Sequence, residues 1–193
     1  MIDKNSALLV LDAALSTGGD FAELYIEDGF ANTVAMTDGK VEDATHRHDC
    51  GAGIRVFSGV RSVYAYTTGY ELDDLIRTAK AAAAAISGSG CEVKTFVPSS
   101  HETAPRIPYS TVANAQRIEK LREGHSAAKG YSSEITQVIT RLLDNDKNIF
   151  VCNSEGVFAT DRRTRMRMAV QAVAADANSM QTGFFRARLR HGL

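Results

Sequence analysis

The sequence predicts an α+β fold, with an antiparallel or mixed sheet built from two strand-rich meanders and covered by about three helices. Three observations carry this. Residues 20–66 alternate apolar and polar positions between turn dipeptides, the period of half-buried strands. Three other stretches repeat apolar residues every three or four positions and end at glycine. The order is helix, strands, helix, helix, strands, which is not the alternation of a parallel βαβ sheet.

Taken in order, residues 4–17 place Leu8, Leu11 and Leu15 on one helical stripe, with Asp3 as N-cap and Gly18-Gly19 as stop. From Asp20 the period becomes two, with Ala22, Leu24 and Ile26 facing inward. Residues 30–37 and 40–47 flank Asp38-Gly39, the dipeptide of a two-residue hairpin turn. A second hairpin follows, from Gly51–Phe57 through Ser58-Gly59 to Val60–Tyr66. Leu72, Leu75, Ile76, Ala79, Ala83 and Ile86 mark a helix that stops at Ser87–Gly90. Residues 91–111 hold Pro98, Pro105 and Pro108 and read as a loop. A third helix is expected from a Ser110 cap to Lys129-Gly130, with Ile118 and Leu121 inward. Strands return at 134–143 and 149–153 about a polar turn at 145–148, and a long strand runs through 165–174. The chain reads as one unit, 1–193, with a possible inner boundary in the proline-bearing stretch.

With 193 residues, 44% of them hydrophobic, the chain can bury a core. No run approaches the roughly 18 apolar residues of a membrane span, and residues 1–15 lack the pattern of a secretory signal. A cytoplasmic setting without membrane contact is expected. Cys50, Cys91 and Cys152 are odd in number and widely spaced, and read as free thiols. The net charge of −1 divides unevenly: residues 1–75 hold 13 acidic and 5 basic residues, residues 160–193 hold 2 and 7. Such a balance gives no general attraction to nucleic acid.

Four constellations bear on chemistry. His46, His48 and Cys50 alternate on a strand and could face one metal ion, but a structural zinc needs a fourth ligand and none is near; an exposed strand end is the favoured reading. Gly51-Ala52-Gly53 lacks the third glycine of GxGxxG, so it marks a bulge or close backbone approach. His101-Glu102 is followed by Pro105 where a zincin helix needs histidine, and His125 and His191 have no carboxylate at ligand spacing. Arg162, Arg163, Arg165 and Arg167, with Arg186, Arg188 and Arg190, could grip acidic groups. A solvated face paired with the acidic N-terminal half is favoured.

Three segments are similar to one known family. Phe21-Ala22-Glu23-Leu24-Tyr25 resembles its first strand. Gly51-Ala52-Gly53-Ile54-Arg55-Val56 with Ala65-Tyr66 resembles its glycine-marked hairpin. Asn153-Ser154-Glu155-Gly156-Val157 with Thr160-Asp161-Arg162-Arg163 resembles the segment before its long strand. The family is TldD/PmbA, also called the modulator of DNA gyrase family, and the likeness runs over residues 5–183, closer to the TldD-type subunit. It implies zinc-dependent proteolysis of peptides and partly unfolded proteins by paired TldD-type and PmbA-type subunits. The family's metal motif, HExxxH, lies downstream of the matched region and is missing from these 193 residues. The chain is therefore expected to carry no cofactor and no catalytic residue of its own, zinc belonging to the full-length enzyme. It is expected to shape the substrate cleft, to bind an extended peptide and to form an interface with a second family subunit in a homo- or hetero-oligomer. Arg165, Arg167 and Val170 on the long strand are the candidate peptide edge, with 30–37 and 40–47 as other candidate edges. The competing reading is a non-catalytic binding or regulatory protein, gyrase-associated, nucleic-acid-associated or partnering a full-length subunit. Residues 184–193 depart from the glycine-rich continuation the family would have.

Overall fold

A computed structural model describes residues 2–102, 105 and 107–189. Thr103, Arg190, His191 and the end of the divergent tail lie outside the described residues. The elements are helix α1 (Lys4–Ala14), strands β1 (Phe21–Thr37), β2 (Lys40–Ser58) and β3 (Arg61–Thr68), helix α2 (Leu72–Ala83), strand β4 (Val97–Ser100), helix α3 (Asn114–Lys129), and strands β5 (Ile135–Asn153), β6 (Val157–Ala175) and β7 (Met180–Leu189). The strand order is β3-β2-β1-β5-β6-β4, with β7 also paired to β6. β4 joins β6 in parallel, whereas β2 with β3 and β6 with β7 are antiparallel. The α+β class with its sheet and three helices is as the sequence predicts.

Two compact units share these strands. The first comprises Met1–Gly29, Asp49–Glu102 and Lys147–Arg162. Its core collects Val10 and Leu11 of α1, Leu24 and Ile26 of β1, Ile54 and Val56 of β2, Leu75 and Ala79 of α2, and Phe150 of β5. Asp3 caps α1 by accepting from the Ser6 amide at 2.8 Å. Of the expected stripe Leu11 and Leu15 are buried and Leu8 is exposed, and Ala7, Val10 and Ala14 complete the buried face. The Ala22 amide donates to Ser154 Oγ at 3.1 Å, and the Ser154 amide donates back to the Ala22 carbonyl at 2.9 Å. Two residues 132 apart in sequence are thereby joined.

The second unit comprises Phe30–His48, Thr103–Asp146 and Arg163–Leu193. Here β2 and β7 are the outermost strands and β1, β5 and β6 lie between them. Its core is Val34 and Met36 of β1, Leu121 of α3, Leu142 of β5 and Met166 of β6. The hairpin turn falls at Asp38-Gly39 as expected, with φ of 46° and 81°, values that favour Asp and Gly.

Two expectations fail on polar residues. The helix does not start from a Ser110 cap: Tyr109–Thr111 form a short 3-10 turn and Ala113 is the N-cap, its amide donating to Gln116 Oε1 at 2.8 Å. Nor do residues 145–148 turn the chain, because β5 runs unbroken from Ile135 to Asn153. Asp144 and Asp146 are buried in it, Asp144 bound to Arg117 of α3 and Asp146 Oδ1 accepting from Thr164 Oγ1 at 3.3 Å. Buried partners take the acceptors that a turn would have left to solvent.

Candidate functional site

In the second unit, alternate residues of β6 point to opposite faces of the sheet. Thr164, Met166, Met168 and Val170 share one face. α3 covers it: a side-chain carbon added at Gly124 would lie within 3.2 Å of Val170 and closer still to Met168. The other face presents Arg165, Arg167, Ala169 and Gln171. On β7, Arg188 lies opposite Arg167, Arg186 opposite Ala169, and Phe184 opposite Gln171, and residues opposite one another in an antiparallel pair share a face. From β5 come Ile139 and Arg141, which line a shallow recess of about 120 Å³ together with Ala169, Gln171 and Phe184.

Five exposed arginines thus stand on one open face: Arg141, Arg165, Arg167, Arg186 and Arg188. Among the described residues none of the five makes an ion pair. The guanidinium of Arg186 lies over the Phe184 ring at 5.3 Å. For Arg165 and Arg167 the solvated face is as expected, but among the described residues they make no ion pair with the acidic N-terminal half.

As a peptide edge, Arg165, Arg167 and Val170 require correction. β6 lies between β5 and β7, and Val170 is opposite Phe185, so the backbone there is already paired. Residues 30–37 are likewise interior, with β1 between β2 and β5. Within the second unit the outermost strands are β7 and residues 40–48 of β2. β7 escaped the sequence reading although its signal was present. Asp176–Ser179 is a turn between two alternating runs, with Asp176 Oδ1 accepting from the Asn178 and Ser179 amides at 2.7 Å each.

His46 and His48 belong to a ring cluster of the second unit. Phe30 stacks on both, with centroids 5.8 and 4.3 Å away, and on Tyr109 at 6.3 Å. His46 Nδ1 lies 2.9 Å from Asn32 Oδ1. Behind the cluster, Arg117 is buried, gives Nε and Nη2 to Asp144 at 3.1 and 2.6 Å, and lies under Tyr109 at 5.3 Å. Burial, and then the charge of Asp144, push the Tyr109 phenol up to about 12. Helical periodicity did not reveal Arg117, because that pattern registers apolar residues only.

Cys50 belongs to the first unit. Its thiol is raised by burial and then by the negative charge of Asp28, to which Tyr70 donates a hydrogen bond at 3.1 Å. Burial raises Cys152 to about 12. Cys50, Cys91 and Cys152 are all free. In Gly51-Ala52-Gly53, a side-chain carbon at Gly51 would sit 2.9 Å from the Thr67 carbonyl oxygen, the close backbone approach the sequence suggested, and one at Gly53 would collide with the Tyr64 ring.

Among known proteins, the models for "PmbA/TldA metallopeptidase domain 1" and "PmbA/TldA metallopeptidase central domain" match residues 22–86 and 107–188. The chain belongs to the PmbA/TldD metallopeptidase family. It is similar to the metalloprotease TldD homologues of Buchnera aphidicola (20% identical, 94% of this chain and 38% of the relative) and Haemophilus influenzae (21%, 100% and 41%). It is also similar to a metalloprotease of Methanothermobacter thermautotrophicus (25%, 85% and 36%). It thus spans about two fifths of the curated PmbA/TldD relatives it matches. Solved structures share the fold. TldE from Thermococcus kodakarensis superposes with a TM-score of 0.70 at 16% identity, over 96% of this chain and 43% of that one. For a candidate modulator of DNA gyrase from Bacteroides thetaiotaomicron the values are 0.74, 12%, 98% and 46%. Among the described residues, no helix is long and apolar enough to cross a membrane.

Proposed function

We propose that these residues are the N-terminal, substrate-shaping and subunit-interface part of a TldD-like zinc metallopeptidase acting on peptides or unfolded proteins, and that they do not cleave by themselves. The observation that carries this is a pairing of presence and absence. Both PmbA/TldD models match the chain, yet its sequence holds no HExxxH. A catalytic zinc needs three protein ligands and a position left open for the water it activates. The family's HExxxH donor set is missing from this sequence, and no step of hydrolysis is assigned to these residues. His46 is held by Asn32, and both His46 and His48 are stacked on Phe30.

What the fold offers instead is strand edge. β7 and residues 40–48 of β2 are outermost in the second unit, so an extended peptide can add to either by main-chain hydrogen bonds, a mode tolerant of sequence. A second TldD- or PmbA-type subunit is the proposed partner, and a reducing cytoplasm suits three free thiols.

Incubation with fluorescein-labelled, unfolded casein tests the proposal. The chain should bind the casein equally with zinc or with a chelator and leave it uncut. Chelator-sensitive cleavage, or failure to bind, would overturn it.

A further inference from the structure

We infer that the open arginine face of the second unit is a docking surface for an acidic polypeptide segment lying extended along β6 and β7. The inference does not depend on the peptidase reading, because it concerns the sheet's face rather than its edge and requires neither zinc nor cleavage.

The charges argue first. Arg167 stands directly opposite Arg188, and Arg186 is one pair further along β7 on the same face as Arg165 and Arg141. Like charges directly opposite on a sheet repel, and among the described residues none of these five is relieved by an ion pair. A bound anion relieves them together. Spacing argues next. Side chains on one face of a strand repeat every two residues, roughly 6.6–6.8 Å, and carboxylates at alternate positions of an extended peptide repeat at the same interval. Guanidinium groups then meet carboxylates in the charge-assisted geometry that favours arginine over lysine.

The recess fixes register. Ile139, Ala169, Phe184, Arg141 and Gln171 line it, and its volume of about 120 Å³ gives room for one apolar side chain.

Nucleic acid would bring negative charge too, but the face suits it poorly. Single-strand binding uses successive aromatic rings as stacking platforms. On β5, β6 and β7 of the second unit only Phe184 offers a ring to this face. The chain as a whole carries a net charge of −1, without the basic excess that holds a phosphate backbone.

Fluorescence anisotropy in low-salt buffer without zinc tests this with three labelled probes. These are a peptide alternating Glu and Ser with one central Leu, the same peptide with Gln for Glu, and an oligothymidylate of matched length. The Glu peptide should bind and the Gln peptide should not. Arg167→Ser with Arg188→Ser should weaken the Glu peptide about tenfold or more, since two guanidinium partners of its carboxylates are lost. The same double variant should unfold at an equal or higher temperature, because a repulsive pair has gone; this separates lost binding from lost fold. Equal binding of the Glu and Gln peptides, no binding of the Glu peptide, or unchanged affinity in the folded double variant would overturn the inference. Tighter binding of the oligothymidylate would overturn it in favour of a nucleic-acid surface.

Discussion

Arg117 and Asp144 show what a single pair of residues does inside this fold. Both are buried, and three hydrogen bonds join them at 2.6–3.1 Å. Geometry of this quality repays much of the cost of taking two charges from water, but removing one partner leaves the other buried and uncompensated. Asp144→Asn keeps the shape and removes the charge, and should cost roughly 3–5 kcal/mol in urea denaturation. Next to this pair, Tyr109 sets an alkaline limit. Its folded pKa of about 12 lies above the ordinary 10.0, so between these values the unfolded chain has lost a proton that the folded chain keeps. Stability is then full below pH 10 and falls as pH rises towards 12. Tyr109→Phe should flatten that part of the decline in a series of urea midpoints taken from pH 9 to 12. Neither the ion pair nor the tyrosine could be read from periodicity, because each depends on residues far apart in sequence meeting away from water.

At the scale of elements, what was legible is local. The Asp38-Gly39 turn, the alternation of Ala22, Leu24 and Ile26, and the glycine stop after α1 each depend on neighbours in sequence, and each stands where the residues put it. The continuity of β5 and the existence of β7 depend on partners: buried Asp144 and Asp146 need Arg117 and Thr164, and β7 is held by pairing along β6. The stop after α1 carries a sharper expectation. Gly18 has φ of 126°, and a side-chain carbon there would sit 2.7 Å from the Gly88 carbonyl oxygen. The Gly18-Gly19 and Gly88–Gly90 segments meet as bare backbone, with the Gly19 amide donating to the Ser89 carbonyl and the Cys91 amide to the Gly19 carbonyl, each at 3.0 Å. Gly18→Ala combines a backbone conformation reserved for glycine with a clash against main chain that cannot swing aside. It should cost about 2–3 kcal/mol, read as a lowered denaturation midpoint with unchanged slope.

For the whole molecule, the family was legible from three short segments, although overall identity to the Buchnera aphidicola homologue is only 20%. The arginines were legible as a cluster in sequence but not as a face. Only the pairing of β6 with β7 puts Arg188 across from Arg167 and shows that the long strand is interior. The division of the chain has a further consequence, for synthesis. Both units are assembled from three separated segments, and the first includes residues 147–162. A ribosome releasing the chain from its N-terminus therefore exposes α1, β1, β2, β3 and α2 well before Phe150 and Ser154 arrive to complete that unit. Contacts across 132 residues must wait for the later segment, and long loops close slowly. During that interval the apolar faces of the early strands lack the partners, Phe150 among them, that bury them in the finished unit.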